Sequence, residues 1–386
     1  MTMKVLVIAP YRDGTGYGQA AIDNILAMDA VGIDVVPRPI KLNTNVVALP
    51  ERLLELESKT VRGADFVIQH TLPEMMEYSG HFLANIAMYC SETSNFIASN
   101  WPNRLNCMDA AWVPSQQMVD AAKESNVTIP VKRIPYPTNV SKFERNYKKF
   151  NLGSKDNFVF YTIAEMGKRK NLKAILQAFH TEFDVNEPVS LVIKTHRHGL
   201  SASDCRQGIE NDCNTIKEWL KLYPSIDQYK KEIIITEFLS EESIYGLHKT
   251  CDCFVLCSYG EAWAVPAFDG MGFGKTPIVT NWGGFKEYIT DDTGWLVDSH
   301  EEQVLGINDN LPELYTARET WAGVSIGHLR KCMREAYSNQ ELRSKKASLG
   351  IEKAYDFSYE KIGSLIKKEL ESYEQQQNQR RHNNLS

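Results

Sequence analysis

Short apolar runs alternate with helix-period stretches along this chain, and the alternation starts twice. The first run, residues 4–9 (KVLVIA), stops at Pro10 and a glycine-rich loop, after which a helix is expected from about Gln19. Further strands are expected at 34–37, 65–69, 85–90 and 110–113, with a helix over 116–124. After a strand at 131–134 and the turn Pro135-Tyr136-Pro137, the polar, basic stretch 141–155 reads as a linker. A second set follows, with strands at 158–163, 190–194, 232–236, 253–257, 276–280 and 294–297. Helices between them are expected at 171–179, 207–222, 241–250 and 266–273. Strands that alternate with helices form parallel sheets covered on both faces. The chain therefore reads as an α/β protein of two Rossmann-like halves, residues 1–150 and 151–358. Residues 319–337 and 342–355 read as helices. So do 359–373, where Ile362, Leu365, Ile366 and Leu370 share one face. The Gln/Asn-rich tail, 374–386, is expected to be disordered.

Composition narrows the class. Of 386 residues, 43% are hydrophobic and 24% charged, ordinary values for a globular protein. A net charge of -6 provides no overall basic footprint and leans away from broad nucleic-acid binding. The opening apolar run is too short for a secretory signal, and no run approaches the roughly 20 residues of a membrane span. A soluble, cytoplasmic protein without a transmembrane segment is the expectation. Its eight cysteines are then reduced thiols. Cys251, Cys253 and Cys257 fit no common zinc spacing and read as small hydrophobes of a buried strand.

The loop Gly14-Thr15-Gly16-Tyr17-Gly18 follows a strand and opens a helix. Glycines there let backbone approach a phosphate, and a helix N-terminus favours anions. The spacing is not the G-x-G-x-x-G of nicotinamide enzymes, and Asp34 precedes Val35-Val36 instead of ending the strand, so a dinucleotide dehydrogenase is disfavoured. A tight turn without a ligand stays open.

Residues 258–295 carry the densest pattern, SYGEAWAVPAFDGMGFGKTPIVTNWGGFKEYITDDTGW. A strand ends at Ser258, and a helix begins near Pro266, a residue suited to a first helical position. The amides of Ala262, Trp263, Ala264 and Val265 would face the space above that helix, where a diphosphate fits. Glu261 lies in the loop. Asp269 lies one turn into the helix and leans back towards its N-terminus, where a carboxylate can accept from a ribose diol. Plainer readings are a solvated or capping acid for Glu261 and a dipole-stabilising acid for Asp269.

This arrangement resembles the retaining GT-B glycosyltransferases of family 4, the glycosyl transferases group 1. The family's acid, seven residues and second acid read here as Glu261 and Asp269. Its following turns read Gly274-Lys275-Thr276-Pro277, Gly283-Gly284 with Glu287, and Thr293-Gly294-Trp295-Leu296. Asp269 departs from the family's usual Glu and is one methylene shorter. The basic segment Lys168-Arg169-Lys170 looks like the family's diphosphate-neutralising stretch, although the usual Gly-Arg pair before it is missing. Phe238-Leu239 resembles the base-binding turn, and His70 the histidine near the transferred sugar. A solvated basic run and a structural histidine are the plainer alternatives for these. Residues 194–198, Lys194-Thr195-His196-Arg197-His198, form a further polar cluster at a strand end, read as a solvated loop.

The resemblance implies a GT-B fold, two Rossmann-like domains facing a central cleft, with the helix 359–373 returning to the first domain. It implies a hexosyl- or pentosyltransferase that moves sugar from a nucleoside diphosphate donor, UDP- or GDP-linked, to an acceptor hydroxyl with retention. Glu261 and His70 are then the catalytic candidates. Gly16, Tyr17, Arg169, Lys170, Phe238, Leu239, Ala262, Trp263, Ala264, Val265 and Asp269 are the donor-binding ones. No Asp-x-Asp motif calls for an obligatory metal. The acceptor stays open among a saccharide, a lipid-linked sugar, a protein and a modified DNA base. A sugar-nucleotide epimerase of similar fold and a non-catalytic nucleotide-sugar-binding subunit are the alternative readings.

Overall fold

Each of the twelve apolar runs expected as a strand pairs in parallel within one of two six-stranded sheets. The structure, a computed structural model, describes residues 3–43, 47–153, 157–307 and 313–383. The chain divides into two compact units, one of Met1–Val140, Leu311–Glu319 and Tyr355–Ser386, the other of Ser141–Asn310 and Thr320–Ala354.

The first unit runs β1 (Lys4–Ala9), α1 (Gly16–Ala30), β2 (Asp34–Pro39), α2 (Glu51–Glu57), β3 (Phe66–His70), β4 (Ala84–Met88), α3 (Trp101–Leu105), β5 (Ala110–Val113), α4 (Gln116–Glu124) and β6 (Val131–Arg133). Its sheet order is β2-β1-β3-β4-β5-β6. The second unit runs α5 (Ser141–Glu144), β7 (Phe158–Glu165), α6 (Leu172–Glu182), β8 (Val189–His196), α7 (Ala202–Leu220), β9 (Ile233–Ile235), α8 (Glu241–Thr250), β10 (Cys253–Leu256), α9 (Val265–Gly272), β11 (Pro277–Thr280), β12 (Trp295–Val297), β13 (Ser299–Gln303), β14 (Thr320–Val324), α10 (Ile326–Ser338) and α11 (Gln340–Ala354). Its sheet order is β12-β11-β10-β7-β8-β9. A final helix, α12 (Tyr359–Asn383), belongs to the first unit.

Each order places a switch point, where successive strands depart in opposite directions, between two neighbouring strands. These are β1 and β3 in the first sheet, and β7 and β10 in the second. In open parallel sheets the crevice at the carboxyl ends of such strands receives ligands. The second sheet is held from one side by α6, α7 and α10, whose Ile175, Phe179, Ile209, Cys213, Leu329 and Met333 join Phe160, Leu191, Val255 and Ile278 in one core. In the first unit α12 lies on α1. Gly363 permits the approach, because a Cβ there would meet the Ala27 carbonyl oxygen at 2.2 Å. Tyr359 donates to Asp23 at 2.6 Å, and Lys367 to the Val31 carbonyl beyond the C-terminus of α1.

Four expectations are corrected. Residues 319–337 are not one helix. The β-branched and aromatic stretch Thr320–Val324 is a strand paired antiparallel with β13, and α10 follows it with Ser325 as N-cap. The expected linker begins inside the second unit. Phe143 of α5 is buried against Phe268 and Phe273, so the unit starts at Ser141 and not after residue 150. Residues 154–156 of that stretch lie outside the described residues. The tail is helical to Asn383, ten residues beyond the expected end at Tyr373, with 384–386 outside the described residues. Its Gln- and Arg-rich composition has ordinary helix propensity, which continues a helix already nucleated by packing. Finally, α1 begins at Gly16, capped by the Thr15 hydroxyl, which accepts from Gly18 N–H at 3.0 Å. Gly18 therefore sits in the first helical turn, where a Cβ would come within 2.9 Å of the Pro10 carbonyl oxygen.

Candidate functional site

At the second switch point the loops after β7 and β10 are tied together by backbone. Tyr259 N–H donates to the Arg169 carbonyl at 2.8 Å. The Arg169 guanidinium returns a bond to the Gly260 carbonyl at 2.7 Å. Asn171, held in the left-handed region at φ 50°, donates from its side chain to the Cys257 carbonyl at 3.0 Å. Across this seam Lys170 Nζ lies 2.6 Å from one carboxylate oxygen of Glu261, and Arg169 lies 3.4 Å from the other. Glu261 is buried, and burial alone would raise its pKa. The charges of Lys170 and Arg169 outweigh that and hold the carboxyl below its ordinary value. The site thus carries two cations and one ionised acid.

The loop then enters α9 through an unusual backbone position. Ala264 adopts φ +67°, a left-handed conformation that a non-glycine residue seldom takes. No side chain caps the helix, and its first turn contains Pro266. Tyr288 fixes the loop from below, its hydroxyl reaching the carbonyls of Trp263 at 2.7 Å and Ala264 at 3.1 Å. The Gly283-Gly284 pair has a packing reason. Gly284 N–H donates to the Glu261 carbonyl at 2.8 Å, and a Cβ on Gly284 would stand 2.0 Å from the Ala262 carbonyl oxygen. Ala262, Trp263 and Ala264 are buried.

Asp269 occupies the first turns of α9 and is buried. Its carboxylate is taken by Lys142 of α5, Nζ to Oδ1 2.6 Å. Burial raises the Asp269 pKa, and the Lys142 charge offsets only part of the rise. Sequence reasoning missed Lys142, because its basic neighbourhood reads as a linker. Its signal was Phe143, an apolar anchor beside it in a stretch dominated by polar and basic residues. Tyr288 was missed too, with no signal beyond its aromatic character. Phe238, after β9, is 87% exposed, and Leu239 beside it is partly buried.

A cavity of about 450 Å³ opens at the same strand ends. Lys168, Lys170, Lys194 and Arg197 line it, and Glu165 and Tyr259 contribute to its wall. Lys170 thus belongs both to the ion cluster with Glu261 and to the cavity. Among the described residues no group of three or more His, Cys, Asp or Glu side chains is placed to hold a metal ion.

The first unit's switch point is built differently. His70 ends β3, is 1% exposed, and neither ring nitrogen has a hydrogen-bond partner among the described residues. Burial lowers its pKa to about 3, so the imidazole is neutral. Tyr17 of α1 meets it edge-on, ring centroids 4.5 Å apart, and Tyr136 lies at 6.0 Å. The Tyr136 hydroxyl and Cys90 Sγ are 2.8 Å apart. Gly16, one residue before Tyr17, has open space where a Cβ would stand. Tyr17 and His70 are therefore brought together. The second unit likewise joins Arg169, Lys170 and residues 261–265, while Asp269 is engaged with Lys142.

Residues 143–316 match the family model of glycosyl transferases group 1. The chain is similar over 96% of its length to sucrose-phosphate synthase from Thermosynechococcus elongatus, of which it covers 98%, at 14% identity and a TM-score of 0.64. The fold is GT-B. Anabaena HepE, solved in complex with UDP-glucose, aligns over 96% of this chain and 100% of that one, at 15% identity and a TM-score of 0.63. In sequence, 201 residues are 25% identical to sucrose synthase 2 of Oryza sativa subsp. japonica, half of this chain and 24% of that protein. The chain thus spans about a quarter of that relative's length. Among the described residues no helix is long and apolar enough to cross a membrane.

Proposed function

We propose that this chain is a retaining glycosyltransferase of family 4, which moves a hexosyl or pentosyl group from a nucleoside diphosphate sugar to an acceptor hydroxyl. The observation that carries the reading is the cluster of the half-buried Lys170 and Arg169 with the buried Glu261, beside the uncapped N-terminus of α9. Breaking a glycosyl-phosphate bond builds negative charge on the departing diphosphate. Two cations and a helix N-terminus already in place stabilise that charge without reorganising. Glu261 keeps both cations aligned and accepts hydrogen bonds from the transferred sugar. The departing phosphate takes the acceptor's proton, so the mechanism assigns no separate general base. Ribose recognition is assigned to the Lys142–Asp269 pair, because Asp269 alone is short and already engaged. Phe238 and Leu239 contribute to holding the base. In the first unit, His70 with Tyr17 and Gly16 is assigned to substrate contact as a neutral hydrogen-bonding group, since an imidazole with a pKa of about 3 is far from that of a useful base near neutrality. HepE, solved with UDP-glucose, and the group 1 match support a UDP- or GDP-sugar as donor.

The test is a donor screen by thermal shift, followed by nucleoside diphosphate release in the presence of trial acceptors. Binding and acceptor-dependent release are expected with one UDP- or GDP-sugar. An epimerase would convert the sugar nucleotide without releasing free nucleoside diphosphate. A non-catalytic binding subunit would bind the donor and show no turnover.

A further inference from the structure

Lys194 is the second unit's unexplained charge. It lies on β8 beside Ile163 of β7 and Ile235 of β9, at the carboxyl end of the sheet. Its side chain is 5% exposed. Among the described residues its one hydrogen bond is to the neighbouring Thr195 carbonyl at 3.2 Å, and no carboxylate stands within ion-pair distance. Burial lowers its pKa, with Glu237 opposing only in part. A buried ammonium with unused donors costs stability unless a ligand completes it. Lys194 lines the cavity of about 450 Å³, as does Thr162, whose buried hydroxyl has no hydrogen-bond partner among the described residues.

Lys168, Lys170, Lys173 and Arg197 line the cavity together with Glu165 and Asp212, and Lys170 pairs with Glu261 at the proposed diphosphate site. Ile175, Ile193 and Ile209, all buried, line it as well. Isoleucine walls suit the faces of a planar ring and not a doubly charged phosphate. An ammonium in such a wall can donate only to an acceptor on the ring's edge. Uracil and guanine present carbonyl oxygens there, whereas adenine presents an amino donor flanked by ring nitrogens, which accept more weakly from an ammonium than a carbonyl oxygen does.

We infer that Lys194 is a specificity-determining residue for the donor nucleotide, donating from its ammonium to a carbonyl oxygen of the base and so selecting uridine or guanosine over adenosine nucleotides. This rests on the function proposed above, whose donor is a UDP- or GDP-sugar, and adds the residue that reads the base. A buried ammonium left without a strong acceptor is penalised more than a lost neutral contact, which is how one side chain discriminates.

The test is titration calorimetry of the full chain with UDP, GDP, ADP and pyrophosphate, for wild type and Lys194→Met, alongside thermal unfolding. Wild type is expected to bind UDP or GDP at least tenfold more tightly than ADP. Lys194→Met is expected to lose about tenfold or more of that affinity, with ADP and pyrophosphate unchanged, while its melting temperature rises because a buried charge has gone. Lys194→Gln, which keeps two N–H donors, is expected to lie between, and replaces Met if that variant does not fold. An unchanged UDP-to-ADP ratio overturns the inference while leaving the transferase reading intact. Pyrophosphate affinity that falls in step with UDP overturns it by making Lys194 a phosphate ligand. A lowered melting temperature with intact binding overturns it by making Lys194 structural. No binding of any nucleotide to wild type overturns the transferase reading and this inference together.

Discussion

The two units place polar side chains at equivalent switch points with opposite electrostatics. At β7 and β10, Lys170, Arg169 and Glu261 form a charged cluster held by cross-loop backbone bonds. At β1 and β3, Tyr17, His70 and Tyr136 form an uncharged one, in which burial keeps the histidine neutral. Topology selects where a site can form, and the side chains decide what charge it accepts. A charged site suits a diphosphate. A neutral site with a free donor and acceptor suits hydroxyl groups.

The largest expected effect is at the charged site. Glu261→Gln removes the acid that aligns two cations and should lower turnover by about a hundredfold or more, measured as nucleoside diphosphate release. Its melting temperature should also fall, because Lys170 and Arg169 lose their shared partner. Lys170→Met should weaken nucleoside diphosphate binding by about ten- to hundredfold, and the remaining affinity should depend less on salt. Calorimetry at two ionic strengths reads both. At the neutral site, His70→Phe should cost about tenfold in turnover without lowering stability, since it removes two buried nitrogens that have no partners among the described residues. Equal losses from His70→Phe and Glu261→Gln would break the contrast between the sites.

The smallest effect concerns acid. His70 is held at a pKa of about 3 in the folded state, against about 6.5 when unfolded. The unfolded chain therefore binds a proton first as pH falls. The stabilisation is complete above pH 6.5 and declines from there towards pH 3, by at most about 1.4 kcal/mol per pH unit. His248, also lowered to about 3 by burial, adds the same dependence in the second unit. Urea unfolding at pH 7 and pH 5 should show His70→Phe losing up to about 2 kcal/mol less than wild type over that interval.

Most of the fold was legible because most of the parallel strands, though not the mostly exposed edge strand β6, Val131–Arg133, are buried and written as short contiguous apolar runs. The antiparallel pair β13–β14 was not. Ser299–Gln303 is polar and largely exposed, and Thr320–Val324 merges into the helix-period pattern that follows. Residues 141–144 read as linker because charge hid a single apolar anchor, Phe143. The charged site was legible as a set of residues, since Glu261 and the basic segment each stand in a recognisable pattern. Their pairing was not, because no local rule brings residue 170 to residue 261. Strand order does that. Asp269 shows the same limit, since its partner Lys142 lies more than a hundred residues earlier in the chain. Lys194 was visible in the sequence as part of a polar strand end, but only its burial distinguishes it from a solvated loop.

The central claim is that the cluster at β7 and β10 receives a nucleoside diphosphate sugar. Release of nucleoside diphosphate from a panel of UDP-, GDP- and ADP-sugars, in the presence of trial acceptors, by wild type and Glu261→Gln tests it most directly. The account predicts release from a UDP- or GDP-sugar by wild type, reduced about a hundredfold or more in the variant. Wild-type protein that neither binds nor cleaves any sugar of the panel would contradict it.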